Sequence, residues 1–149
     1  MRAICLYLHI HQPVRYREYP IFDVGNTSNY FVDNYNGRQS NQRIFEKVTE
    51  KSYRPMLALL EKKMHEHPDF KVSFSITGTW LEQAAKWAPD LITTIRRMVR
   101  KGQVEILSET YYHSLAFFEN IEELKTKLNE TGQTIIINQL DKEIDCDGD

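Results

Sequence analysis

The sequence predicts an α/β protein built on parallel strands, and three observations carry that prediction. Apolar runs of strand length stand at Ala3–Ile10, Phe70–Ile76 and Val104–Leu107. A stretch with helical periodicity separates each run from the next. Each run also ends in polar side chains, the pattern expected where an α/β protein gathers its functional loops at the carboxyl ends of its strands. Strands that alternate with helices pair in parallel through right-handed crossovers.

Taken in order, Ala3–Ile10 is almost continuously apolar, as in a strand covered on both faces. It runs into His9-Ile10-His11-Gln12-Pro13, where the proline keeps its predecessor extended. Residues 15–42 form a long polar and aromatic stretch with Tyr16, Tyr19, Phe22, Tyr30, Phe31 and Tyr35. Its aromatics argue for an ordered insertion above the first strand. Ile44, Val48, Met56, Leu57, Leu60 and Met64 then make one apolar stripe over residues 42–65, with Pro55 starting a second helix or kinking a continuous one. In the second strand Val72, Phe74 and Ile76 alternate with Lys71, Ser73 and Ser75. Thr79 with Glu82 reads as a capping box opening the next helix. Pro89 fits the first turn of another, which Lys101-Gly102 stops. Ile121, Leu124 and Leu128 mark a last helix, and residues 134–137 read as a candidate fourth strand before an acidic, loose tail. The tally is three to four parallel βα units.

Composition removes several classes of function. With 149 residues, 41% of them hydrophobic and 27% charged, the chain suits one ordered domain. A net charge of −2 excludes a large basic face for nucleic acid. No apolar run approaches the ~20 residues of a membrane span, and the N-terminal run is too short for a signal peptide. The two cysteines, Cys5 and Cys146, make no disulfide framework and argue for a reducing, cytoplasmic setting. The Glu143–Asp149 tail resembles half a calcium loop but ends before a closing Glu, so no metal and no cofactor is expected.

The residues able to carry chemistry sit at the strand ends. His9 and His11, two apart on a strand, face the same way. As a pair they read as hydrogen-bonded structural histidines, as metal ligands, or as donors to sugar hydroxyls. Glu105 lies in an apolar strand and needs a partner, either a cation or a role in a site. Glu109 and His113 follow it. Trp80, in the first turn after the second strand, is the better aromatic candidate for stacking, and Trp87 reads as core.

Taken together, His9-Ile10-His11-Gln12-Pro13, Phe22-Asp23-Val24-Gly25-Asn26, Phe74-Ser75-Ile76-Thr77-Gly78-Thr79, Gly102-Gln103-Val104-Glu105-Ile106-Leu107 and Glu109-Thr110-Tyr111-Tyr112-His113-Ser114 resemble the N-terminal part of glycoside hydrolase family 57. The resemblance covers about Arg2 to Leu128. It implies a (β/α)7, TIM-like barrel that acts on α-glucans with retention, of which this chain forms the partial barrel 1–132, followed by a divergent acidic tail, 133–149. It implies that α-glucan or maltooligosaccharide is the ligand and that His9, His11 and Glu105 line the sugar site. Gln12, Trp80, Glu109 and His113 join them as substrate-binding candidates. The family's nucleophile and acid/base lie in later signature regions, which this chain does not match. No catalytic residue is therefore assigned, the isolated chain is expected to be inactive, and a second polypeptide is a candidate to complete the barrel. Two other readings stand beside this one. One is a metal-dependent carbohydrate deacetylase, with His113 or Glu105 as third ligand, and the other is a non-catalytic carbohydrate-binding remnant.

Overall fold

In the computed structural model, residues 4–16, 20–26, 28, 30–31 and 40–113 are described. Three parallel strands, β1 (Tyr7–Ile10), β2 (Val72–Ile76) and β3 (Val104–Leu107), lie in the order β1-β2-β3. Helices α1 (Asn41–Val48) and α2 (Arg54–Glu66) connect the first pair, and α3 (Gly78–Trp87) and α4 (Pro89–Arg100) connect the second. Strands adjacent in sequence are adjacent in the sheet, which is barrel winding rather than doubly wound order.

The alternation read in β2 sets the two faces of the sheet. Leu8 pairs with Phe74 and Phe74 with Ile106, while Ile10 pairs with Ile76 and Val72 with Val104. These side chains pack against Phe45, Leu57, Leu60, Leu91, Ile95 and Met98 of the helices to form the core. The other face is polar. Tyr7 pairs with Ser73 and Ser73 with Glu105, and His9 pairs with Ser75 and Ser75 with Leu107. The four described α-helices thus pack on one face, and the opposite face, which a closed barrel turns inward, bears the polar groups.

Several expectations need correction. β1 is shorter than Ala3–Ile10 and is not covered on both faces: Ile4 is 98% exposed and Tyr7 51%. An apolar run does not reveal that every second residue of it points to a polar face. The capping box at Thr79 and Glu82 is not formed. Thr77 holds the N-cap position, and Glu82 instead accepts from the Tyr111 hydroxyl at 2.5 Å. The 42–65 helix is interrupted by a π-helical turn, Thr49–Tyr53, where the Arg54 N–H reaches back to the Thr49 carbonyl. Pro55, in the first turn of α2, has no N–H to offer the Lys51 carbonyl, and the π turn lets the ladder pass that defect. α4 opens with Pro89 at its first position and stops at Gly102, whose φ of 69° only glycine adopts freely. The expected last helix, the candidate fourth strand and the 132/133 boundary lie outside the described residues.

Candidate functional site

Four of the expected residues meet on the polar face. His9 stands beside Ser75, its Nδ1 2.6 Å from the serine Oγ. The Ser75 hydroxyl donates to Glu109 Oε2 at 3.0 Å and accepts from the Tyr7 hydroxyl at 3.0 Å. A serine has one proton, so once it goes to Glu109 the His9 Nδ1 must act as donor, and the lone pair of a neutral His9 lies on Nε2. One row along the sheet, His11 Nδ1 meets Thr77 Oγ1 at 2.9 Å, and Thr77 meets Thr79 at 3.2 Å.

Glu109 is at the centre. Its Oε1 accepts from the Thr110 N–H at 3.1 Å and the Thr110 hydroxyl at 3.3 Å. His9 Nδ1 lies 3.5 Å from one of its oxygens and His113 Nδ1 3.7 Å from the other. Ligand-capable atoms of His9, Glu109 and His113 all fall within 4.8 Å of one another. The three imidazoles form a triangle, with ring centroids 4.7 Å from His113 to each of the others and 5.8 Å between His9 and His11. Desolvation, reinforced by the neighbouring His113 and His9, holds the His11 pKa below its ordinary 6.5 against the pull of Glu109. His113 has φ 53°, a left-handed conformation that non-glycine residues rarely hold, and its N–H bonds the Thr110 carbonyl at 3.1 Å. That turn brings a residue beyond the strand back over the sheet.

The other candidates do not join the cluster. Glu105 shares the polar face but sits one row towards the strand start, where its carboxylate accepts from Ser73 at 3.3 Å. Gln12 is buried. Its carbonyl accepts from Gln83 Nε2 at 2.8 Å, and its amide oxygen, turned to Arg15, accepts two guanidinium N–H groups at 2.9 and 3.1 Å. It shapes the turn after β1 rather than facing a ligand. Trp80 is a correction. It is completely buried, edge-on to Tyr53 at 5.6 Å and tilted against Phe45 at 6.2 Å. The first turn of α3 aims it into the core, so it offers no stacking face.

A cleft of about 580 Å³ adjoins the cluster. His11 and His113 form its polar wall with Glu82, and Tyr16, Phe31 and Tyr112 add aromatic surface. Ser75 and Thr77 orient His9 and His11. Thr77 stands among the polar strand-end residues of the sequence, whereas Ser75 was not a site candidate, although its alternation with Phe74 and Ile76 marks a second, polar face.

Fold and site together define a parallel α/β barrel segment whose inner face carries histidines, hydroxyls and carboxylates. The sequence matches the model of Glycosyl hydrolase family 57 over residues 5–142. It is 34% identical over 115 residues to a putative alpha-amylase of Methanocaldococcus jannaschii, which covers 76% of this chain and 24% of that protein. It is 41% identical over 69 residues to an alpha-amylase of Pyrococcus abyssi, covering 46% of this chain and 10% of that one. The crystal structure of 4-alpha-glucanotransferase from Thermococcus litoralis superposes with a TM-score of 0.54 at 24% identity, covering 83% of this chain and 15% of the other. The chain belongs to glycosyl hydrolase family 57 and spans about a quarter or less of the length of these relatives.

Proposed function

We propose that this chain supplies the histidine-bearing part of an α-glucan site in a family 57 hydrolase or transferase, and that taken alone it binds a maltooligosaccharide without cleaving it. The observation that carries the reading is the cluster of His9, His11, Glu109 and His113 at the strand ends, next to a cleft with aromatic walls. Imidazoles and a carboxylate match vicinal sugar hydroxyls as donors and acceptors. Tyr112, 75% exposed, offers a ring face for a pyranose. Retaining cleavage needs two carboxyl groups about 5–5.5 Å apart across one bond. Glu109 is held by three donors and flanked by two histidines, which suits an orienting acceptor. Glu105 is bonded to Ser73 a row away, and we assign neither a catalytic role. Further strands, from a longer chain or a second polypeptide, would close the barrel over the polar face.

Calorimetric titration with maltoheptaose tests binding. Glu109→Gln and Tyr112→Ala should each weaken it by about tenfold, the loss of one charge-assisted hydrogen bond or one stacking face. Unchanged affinity in both variants refutes the site. Reducing-sugar release from amylose that Glu105→Gln abolishes would refute the non-catalytic half of the reading.

A further inference from the structure

We propose that His9, Glu109 and His113 form a binding site for a divalent transition-metal ion, with zinc the best fit. Two imidazoles and one carboxylate are a zinc donor set that leaves a coordination position open. In a tetrahedral site with bonds of 2.0–2.1 Å, ligand atoms stand about 3.3 Å apart. Here they already lie within 4.8 Å of one another. Closing the gap takes side-chain adjustments of about an ångström. His113, whose side chain is 43% exposed, has room for its share.

The surrounding bonds favour a site over a chance cluster. Ser75 bonds Nδ1 of His9 and so fixes the orientation of its ring beside Glu109. Glu109 is fixed by Ser75 and by both donors of Thr110. Metal ligands are characteristically oriented by such outer hydrogen bonds. His113 and His11 also line the cleft, so the open position faces space where an oxygen ligand, water or a hydroxyl, can enter. The remaining histidines, His65 and His67, lie at the far end of α2 and provide an internal control.

The proposal does not rest on the glucan reading, because its readout needs no sugar. The full chain, freed of metal with a chelator and dialysed, is titrated with zinc by calorimetry and with cobalt(II) by visible absorption. The expected result is one ion per chain, with cobalt bands of a four- or five-coordinate site. Glu109→Gln and His113→Ala should weaken binding by at least about tenfold, and Ser75→Ala by about tenfold through the lost outer bond. The double variant His65→Ala/His67→Ala should bind like the parent. Circular dichroism checks the fold of each variant. X-ray absorption at the zinc edge of the parent chain gives a readout independent of any substitution, with imidazole nitrogen and carboxylate oxygen expected in the first shell. Sulfur in that shell, binding lost in the His65/His67 variant, or affinity unmoved by both Glu109→Gln and His113→Ala overturns the proposal.

Discussion

Glu109 stands between two histidines because the Ser75 hydroxyl and the Thr110 N–H and hydroxyl hold it there. The same dependence on single neighbours recurs at Gly78. A Cβ built there would overlap the Tyr111 ring, and Tyr111 in turn bonds Glu82 at the cleft wall. Gly78→Ala should therefore destabilise the chain by about 1–3 kcal/mol, as overpacking does. Urea unfolding measures the loss, and a variant as stable as the parent sinks this account. His11 supplies a pH dependence. Its pKa is lowered in the folded chain, so the unfolded chain takes up the proton more readily. That contribution to stability is intact above the ordinary 6.5 and declines as the pH falls through it. Unfolding followed between pH 7.5 and 5 in chelator should show the decline, and His11→Asn should flatten it. At this scale the histidine pair was legible, because spacing of two on a strand fixes a common face. The placement of Trp80 was not, since nothing in Thr77-Gly78-Thr79-Trp80 says which way the first helical turn rotates.

At the scale of elements, β2 and β3 were legible because hydrophobic alternation and the glycine stop at Gly102 leave little choice of boundary. The capping box failed because the helix starts earlier, with Thr77 at the N-cap and Thr79 already inside it, and because Glu82 is taken by Tyr111, a partner that only tertiary structure supplies. The packing of α2 on α4 shows which forces hold the elements. Arg97 pairs with Glu61 at 2.7 Å and Arg54 with Asp90 at 2.9 Å, both at exposed positions. Leu60 lies a residue from Glu61 and is 6% exposed. Arg97→Ala should lose no more than about 1 kcal/mol, and mostly at low salt. Leu60→Ala should lose about 2–5 kcal/mol whatever the salt. Thermal melts of both variants at low and high ionic strength decide the matter, and the reverse order of losses would refute a core-held helix pair.

For the whole molecule, strand–helix alternation and the strand-end motifs were enough to give a parallel barrel segment and its family. What they did not give is the condition of β1, whose apolar run read as buried. Among the described residues β1 pairs on one side alone, with β2, while Ile4, Leu6 and Tyr7 lie at its exposed end. Unpaired N–H and C=O groups flanked by apolar side chains form a template for another strand. The exposed Ile21 and Phe22 enlarge the apolar surface elsewhere on the chain. The 149-residue chain expressed alone is therefore expected to self-associate in a concentration-dependent way through β1. A charge at the edge opposes such pairing, because a lysine there must be desolvated or stacked on its copy. Leu6→Lys should shift the chain towards monomer while leaving its unfolding transition nearly unmoved, since Leu6 is outside the core. Light scattering coupled to size exclusion, run over a hundredfold range of concentration, measures this. A parent chain that stays monomeric throughout, or an oligomer that Leu6→Lys does not weaken, shows that the free edge of β1 does not drive association.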